Sequence, residues 1–248
     1  SHPYYKNAVE FSINNSDAVT SVSEDLKKDT LSYFNIEKNI EVIPNFVDLD
    51  KYNHVHENCN RSVLANEDEK IITHISNFRP LKRIQDVIKI FENILPTVPS
   101  KLLMVGEGPE KQKAMDYVKE KGLTESISFL GNSNEIDKIL CYSDLFLLPS
   151  EKESFGLSAL EAMANKVPVI SSNAGGIPEV NKDNFSGYLS DVGDLDGMAK
   201  KALLLLQDDT KLKQFKEQAK EQASLFDIDA IISQYEAVYS EAIAAHQF

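Results

Sequence analysis

A short apolar run, Leu145-Phe146-Leu147-Leu148, ends at Pro149 and is followed by a glycine-containing turn and an apolar helical segment. A continuous apolar run of this length is typical of a strand buried on both faces of a parallel sheet. From residue 71 onward, further strands are predicted at 71–75, 102–105, 126–130 and 168–171, with helical patterns between them. Strands that alternate with helices predict an α/β fold with a doubly wound parallel sheet.

Two glutamates, Glu153 and Glu161, flank the turn that follows this run. In an open α/β sheet, ligands bind beyond the carboxyl ends of the strands. Eight helical residues span about 12 Å, which exceeds the roughly 5–10 Å between two carboxylates that act on one glycosidic bond. The spacing favours a long ligand held at two points, with a phosphate at the helix N-terminus near Gly156 and Leu157. The alternative is a structural pair, in which Glu153 meets the helix dipole and Glu161 is solvated.

A basic cluster, Arg79, Lys82 and Arg83, lies between the strand at 71–75 and a helix predicted at 84–95. It stands out because the chain has a formal net charge of −13. That acidity argues against a nucleic-acid or anionic-membrane surface. A cationic strand-to-helix loop in an acidic protein is typical of an anion site, and a solvated loop is the alternative.

Several motifs argue against a cofactor or a metal. Gly106-Glu107-Gly108 lacks the third glycine of a dinucleotide fingerprint, because Lys111 stands there, so no nicotinamide cofactor is expected. Asp-x-Asp spacings begin at Asp48, Asp194 and Asp227, near predicted helix starts or the linker. We interpret them as structural, and we expect no metal site.

The remaining titratable residues favour an ordinary intracellular protein. His74, inside an apolar strand, is predicted to be a hydrogen-bonded core residue. Cys59 and Cys141 lie far apart in the sequence, and we expect two reduced thiols in a cytoplasmic chain. No apolar stretch approaches the length of a membrane span, and the first residues lack a signal-peptide pattern. A homo-oligomer is left open.

The whole pattern resembles the retaining GT-B glycosyltransferases of family 4. Glu153 and Glu161 have the spacing of that family's E-x7-E motif, and other segments occur in the family's order: residues 18–23, 42–45, 105–109, 129–131 and 175–180. The segment 75–83 is most similar to the members that transfer N-acetylglucosamine from UDP to L-malate in bacillithiol biosynthesis. Other donors or acceptors, as in cell-surface glycan synthesis, and a non-enzymatic nucleotide-sugar-binding module are the alternatives.

The resemblance implies a role for each site residue. Glu153, Lys82 and Arg79 form the catalytic group, in which Glu153 contacts donor-sugar hydroxyls and the two cations hold the diphosphate. Family members usually have an arginine where Asn77 stands here, so Arg79 is expected to supply the guanidinium. Glu161 holds the ribose, and the donor phosphate accepts the acceptor's proton. The substrate-binding residues are Ser76, Asn77, Gly108, Leu130, Gly131, Ser154, Phe155, Gly156, Leu157 and Glu161.

The resemblance also implies a domain organisation. Residues 1–48 correspond to the last portion of an acceptor domain, 49–68 to a linker, 69–225 to the donor-binding domain, and 226–248 to a terminal helix that crosses back. Because residues 1–48 contain too few strands for a sheet of their own, we expect a fragment that does not transfer sugar alone. Its partners are a UDP-sugar and a small hydroxy acid.

Overall fold

The computed structural model describes residues 5–53, 59 and 61–245 of the 248-residue chain. The strands are β1 Thr20–Ser21, β2 Glu41–Val42, β3 Lys70–Ile75, β4 Ser100–Val105, β5 Ile127–Gly131, β6 Leu145–Leu148, β7 Val169–Ser172 and β8 Gly187–Ser190. The helices are α1 Lys6–Asn14, α2 Glu24–Tyr33, α3 Leu49–Asn53, α4 Ile84–Ile94, α5 Lys111–Glu120, α6 Ile136–Tyr142, α7 Leu157–Ala164, α8 Ile177–Val180, α9 Leu195–Leu206, α10 Asp209–Ser224 and α11 Ile228–Ala244.

Six parallel strands form the central sheet in the order β5-β4-β3-β6-β7-β8. The chain winds from β3 through β4 to β5 at one edge and then returns to place β6 on the other side of β3. The strand order therefore reverses between β3 and β6, where an α/β sheet opens a crevice at its carboxyl edge. The prediction of a doubly wound parallel sheet is confirmed.

The sheet is buried on both faces because its strands carry apolar residues at successive positions. In β3, Ile71 packs on the face covered by α6 and α7, and Ile72 packs on the face covered by α4, α5 and α9. All four residues of β6 are fully buried. The predicted strand β6 is confirmed at Leu145–Leu148, and the predicted helix at 84–95 is observed as α4. Such continuous apolar strands are typical of parallel sheets covered on both sides.

One strand, β8, was not predicted from the sequence. It has only four residues, and it begins with Gly187. A Cβ atom at Gly187 would lie 1.8 Å from the carbonyl oxygen of Val169, so glycine lets β8 approach β7 closely. Glycine is disfavoured in strands, and the four residues of β8 do not form a continuous apolar run, so the sequence pattern does not indicate a strand here.

The N-terminal segment joins the sheet domain through helix contacts. β1 and β2 pair with each other as a two-stranded parallel sheet, and Ser23 caps α2 by accepting a hydrogen bond from Leu26 N at 3.0 Å. In α11, Ile231 and Val238 pack against Ile43. The terminal helix therefore contacts the segment before residue 49, as a helix that crosses back would. The domain boundaries given above stay predictions.

The expectation of two reduced thiols is wrong for this structure. The sulfur atoms of Cys59 and Cys141 are joined in a disulfide, with the two Cα atoms 6.0 Å apart and a sequence separation of 82. The fold brings Cys59 against Cys141 in α6, so a large sequence separation does not keep these cysteines apart.

Candidate functional site

A cleft of about 350 Å³ opens where the strand order reverses. The loop after β3 and the loop after β6 form two of its walls, and the segment after β2 contributes one residue. The lining residues are Asn45, Ile75, Ser76, Asn77, Lys82, Glu153, Ser154, Phe155, Gly156, Leu157, Ser158 and Glu161. The fold therefore brings together most of the site residues predicted from the sequence.

A second cleft, of about 540 Å³, adjoins the first through shared residues Ile75, Ser76 and Asn77. It extends over the ends of β4 and β5 and is otherwise lined by Val105, Gly106, Glu107, Asn132, Ser133, Asn134 and Ile136. Together the two clefts form a long groove across the ends of four strands, β3, β4, β5 and β6. A groove of this shape suits an extended ligand better than a small compact one.

The best-defined polar contact in the first cleft is the ion pair of Lys82 and Glu153. Lys82 Nζ lies 2.5 Å from Glu153 Oε1, and the Ser150 hydroxyl donates to the same oxygen at 2.9 Å. The side chains are only 16% and 10% exposed. Lys82 ends the 3₁₀ turn Pro80–Lys82 that follows β3. The ion pair therefore ties together the loops that follow β3 and β6.

Glu161, one turn into α7, presents a carboxylate of a different kind. Burial raises its pKa above the usual range, and the charge of Lys51 partly opposes that shift. Among the described residues, no group donates a hydrogen bond to this carboxylate. Tyr52 packs nearby: burial first, and then the charge of Glu161, raises the pKa of Tyr52 to about 12. Glu161 is thus a partly buried acceptor with unused hydrogen-bonding capacity, which a ligand hydroxyl can satisfy.

Two glycines allow loop backbones to pack beneath the clefts. A Cβ atom at Gly108 would lie 2.2 Å from the carbonyl oxygen of Asn77, and one at Gly175 would lie 2.0 Å from that of Glu153. No side chain fits at either position, so both loops depend on glycine. The group that Gly175 approaches is the backbone that carries Glu153.

Not every predicted site residue faces a cleft. Arg79 is exposed and does not line either one. Arg83 instead pairs with Asp86, through a guanidinium nitrogen 2.5 Å from Oδ2. Leu130 is 38% exposed and lies outside both linings, as do Gly108 and Gly131. The predicted cationic cluster is therefore divided, and of its three members only Lys82 lines one of these two clefts.

Several residues in or next to the two clefts were not singled out from the sequence. Asn45 lies after β2, far in sequence from the rest of the site, although the segment 42–45 carried part of the family pattern. Ser150 is fully buried and reaches Glu153. Asn132, Ser133 and Asn134 directly follow β5. A polar run at the carboxyl end of a predicted strand was the signal that could have located this last group.

His74 is fully buried and hydrogen-bonded at both ring nitrogens, which confirms the prediction of a satisfied core histidine. Burial lowers its pKa to about 4, with the charge of Lys82 acting in the same direction and a hydrogen bond to Leu147 opposing both. The imidazole is therefore neutral at physiological pH.

The described residues form no group of three or more His, Cys, Asp or Glu positioned to hold a metal ion. Asp194 caps α9 by accepting from Gly197 N at 2.9 Å, and Asp227 accepts from Leu49 N at 3.4 Å. Asp48 accepts from Asp50 N at 3.1 Å. The three Asp-x-Asp motifs thus each take part in backbone hydrogen bonds. Of the described helices, none combines the length and apolarity needed to cross a membrane.

Two parts of the sequence match models of related protein families. Residues 56–222 match "Glycosyl transferases group 1", and residues 1–51 match "Glycosyltransferase Family 4". The chain belongs to the group 1, family 4 glycosyltransferases. Its α/β sheet matches the C-terminal half of a GT-B fold. The resemblance inferred from the E-x7-E motif is therefore confirmed at the level of family and fold.

Two curated relatives align with most of this glycosyltransferase chain. N-acetyl-alpha-D-glucosaminyl L-malate synthase of Bacillus anthracis is 41% identical over 98% of the chain, which spans 64% of that relative. Poly(ribitol-phosphate) alpha-N-acetylglucosaminyltransferase of Staphylococcus aureus is 30% identical over 88% of the chain, which spans 43% of that relative. The chain thus covers less than two thirds of either protein's length.

A solved structure supports the fold. HepE of Anabaena, in complex with UDP and glucose, superposes with a TM-score of 0.88 at 22% identity. The comparison covers 97% of this chain and 67% of the other. The likeness extends through both the N-terminal segment and the sheet domain.

Proposed function

We propose that this chain carries the donor-binding half of a retaining glycosyltransferase that moves N-acetylglucosamine from UDP to L-malate. The observation that carries the proposal is the 41% identity with the Bacillus anthracis synthase over 98% of the chain. The aligned region extends over nearly the whole chain. The cytoplasmic location expected for such an enzyme stays a prediction.

The geometry supports a nucleotide-sugar ligand in three ways. The groove extends over both clefts, and Lys82 lines the first of them, where a diphosphate can accept charge-assisted hydrogen bonds. Glu161 offers an unoccupied carboxylate to ribose hydroxyls. Glu153, which pairs with Lys82, would accept hydrogen bonds from hydroxyls of the sugar in this proposal. In this arrangement the roles are binding and orientation, and the donor phosphate takes the acceptor's proton.

The donor sugar has broader support than the acceptor. The names of the Bacillus anthracis and Staphylococcus aureus relatives both specify N-acetylglucosaminyl transfer, whereas their acceptors differ. A second candidate is therefore the same donor with a polyol-phosphate acceptor, favoured by 30% identity over 88% of the chain. A nucleotide-sugar-binding module without transfer activity is the third.

A chimera tests the proposal. The part of the Bacillus anthracis synthase that aligns with this chain would be replaced by this chain, and the hybrid supplied with UDP-N-acetylglucosamine and a panel of hydroxy acids and polyol phosphates. We expect N-acetylglucosaminyl malate as the main product by mass spectrometry. Preference for a polyol phosphate would favour the second candidate. A folded hybrid that binds UDP-N-acetylglucosamine but forms no glycoside would favour the third.

The isolated chain gives a second readout, because the lining residues of both clefts are all present in it. We expect calorimetry to detect UDP binding by the 248-residue protein. The unmodified Bacillus anthracis synthase serves as the positive control for both measurements. Absence of UDP binding by the folded chain would contradict the assignment of the groove to a nucleotide sugar.

A further inference from the structure

His74 and Ser76 are linked by a hydrogen bond that connects the core to the groove. His74 lies in β3 at 0% exposure, and its Nε2 is 2.8 Å from the hydroxyl oxygen of Ser76. On the other side of the ring, Nδ1 is 2.8 Å from the carbonyl oxygen of Leu147 in β6. Ser76 is partly buried and lines both clefts, at the point where they join.

The partners of the ring determine where its proton lies. A carbonyl oxygen can only accept, so Nδ1 must carry the hydrogen that bonds to Leu147. A neutral imidazole has one N–H, and Nε2 is therefore an acceptor. The hydrogen atom of the Ser76 hydroxyl must then point at Nε2. The rings of Phe78 and Phe146 pack beside the imidazole, with centroids 6.2 and 6.4 Å from it, and limit its reorientation.

The direction of this hydrogen bond fixes what Ser76 can offer a ligand. Its hydrogen is committed to His74, and one lone pair faces the Phe78 N–H at 3.4 Å. The remaining lone pair can only accept. A phosphate oxygen at neutral pH is also an acceptor, so it cannot form a hydrogen bond with Ser76 in this state. A ligand hydroxyl or N–H group can.

Resting on the proposed nucleotide-sugar ligand, we propose that His74 is a positioning residue that holds Ser76 as a hydrogen-bond acceptor for an O–H or N–H group of the donor. Ser76 then helps to set where the donor lies along the groove, while Lys82 and the backbone near Gly156 serve its phosphates. This role differs from that of a serine hydroxyl that donates to a diphosphate.

The proton position can be measured without any ligand. The chain has five histidines, His2, His54, His56, His74 and His246. Substitution of the other four by glutamine leaves one imidazole, and ¹⁵N NMR of that ring at neutral pH reports its tautomer. We expect a protonated Nδ1 and a bare Nε2, and a shift of the Nε2 signal alone in Ser76→Ala. A protonated Nε2 would overturn the proposal.

Binding measurements then test the role of Ser76. Calorimetry would compare uridine, UDP, UDP-N-acetylglucosamine and pyrophosphate in the unmodified chain and in Ser76→Ala. We expect Ser76→Ala to weaken either uridine or UDP-N-acetylglucosamine by about three- to tenfold, the effect of one neutral hydrogen bond, and to leave pyrophosphate unchanged. Weaker binding of pyrophosphate in Ser76→Ala would show that Ser76 donates to phosphate. So would weaker binding of UDP with uridine binding unchanged. Either result would overturn the proposal.

A double substitution separates positioning from a general structural effect. In His74→Asn, the shorter amide lies at the level of Nδ1, so it can still donate to Leu147 but no longer reaches Ser76. We expect His74→Asn to weaken the same ligand as Ser76→Ala, and to add nothing further in the double variant. If His74→Asn lowers ligand affinity by the same factor whether or not Ser76 is present, its effect comes from the core and not from positioning Ser76.

Thr73→Val serves as the matched control. Thr73 precedes His74 in β3, is equally buried, and shares a hydrogen bond of 2.6 Å with Ser143. Its loss perturbs the same strand without contacting Ser76, so stability should fall while ligand affinities stay constant. If the unmodified chain binds neither UDP nor UDP-N-acetylglucosamine, the proposed function fails, and the NMR experiment still decides the direction of the hydrogen bond.

Discussion

Lys82 and Glu153 satisfy each other's charge in the ligand-free site, with Nζ 2.5 Å from Oε1. Both side chains are largely buried, so neither charge is well solvated. A diphosphate that binds Lys82 must compete with Glu153, and sugar hydroxyls that bind Glu153 must compete with Lys82. In the proposed roles, the full nucleotide sugar offers partners to both residues at once, whereas UDP offers a partner to the lysine only.

This competition predicts opposite effects of one substitution on two ligands. In Glu153→Gln, Lys82 loses its internal partner, so UDP affinity should stay unchanged or rise. UDP-N-acetylglucosamine should bind more weakly by about 1–2 kcal/mol, because a charged acceptor for the sugar hydroxyls is replaced by a neutral one. Isothermal titration calorimetry of both ligands checks this. Equal losses for UDP and the nucleotide sugar would contradict the division of roles.

Removal of the lysine should have a different signature. Lys82→Met leaves the Glu153 carboxylate buried without its counter-charge, and we expect a loss of about 1–3 kcal/mol in the free energy of unfolding. The double variant Lys82→Met/Glu153→Gln should recover most of that stability but no UDP affinity. Urea denaturation and calorimetry on the same samples separate the two effects. Recovery of UDP binding in the double variant would show that Lys82 does not hold the phosphates.

The partly buried carboxylate of Glu161 is expected to lower the stability of the free protein while it contributes to UDP binding. Burial raises its pKa in the folded state. Its contribution to stability is therefore fully present below the unfolded-state pKa and is lost as the pH rises through the folded-state pKa. At neutral pH, Glu161→Gln should raise the unfolding temperature of the free protein. The same change should weaken UDP binding by about 1–3 kcal/mol, because an ionised acceptor of ribose hydroxyls is lost.

Thermal unfolding with and without UDP, at pH 5 and pH 7.5, checks this prediction. The stability gain of Glu161→Gln should be larger at the higher pH. Glu120→Gln, at the exposed end of α5, is the control and should change neither quantity. A glutamine variant that is less stable at neutral pH and binds UDP normally would assign Glu161 a structural role.

The sheet and the groove could be predicted from the sequence because both depend on local patterns. Buried parallel strands such as β6 carry continuous apolar runs, and ligands collect at their carboxyl ends. The pairing of Lys82 with Glu153 could not be predicted, since it depends on two loops brought together by the strand reversal. The disulfide between Cys59 and Cys141 was missed for the same reason, because sequence separation says little about distance in a folded chain.

The division of the basic cluster predicts unequal effects on phosphate binding. Lys82 lines the cleft, whereas Arg79 is exposed and outside its lining. UDP should bind more tightly than uridine, and this difference should shrink between 50 and 500 mM NaCl, because salt screens exposed charges. We expect Lys82→Met to remove most of the affinity difference between UDP and uridine. Arg79→Ala should remove mainly the part of that difference that depends on salt concentration. If Arg79→Ala abolishes the difference, Arg79 must move into the cleft when the donor binds.

Glu179, in α8, connects the sheet domain to the N-terminal segment. Its two carboxylate oxygens accept from the backbone N–H groups of Glu24 and Asp25, each at 2.9 Å, and so cap the start of α2. Ser23 at the same helix end donates to the carbonyl oxygen of Ser154 at 2.7 Å. The N-terminus of α2 is thereby held against the loop that carries Glu153. A carboxylate at this position satisfies two otherwise unpaired donors and complements the helix dipole.

Glu179→Ala should therefore loosen α2 selectively. We expect faster hydrogen exchange at the amides of Glu24 and Asp25, and a loss of about 0.5–2 kcal/mol in stability, the usual effect of removing a helix cap. Exchange in β3 and β6 should stay unchanged, since the sheet core does not depend on this contact. Glu179→Gln should show a smaller effect, because an amide oxygen can cap one N–H without the charge. Uniformly faster exchange throughout the sheet would instead mean that Glu179 stabilises the whole domain.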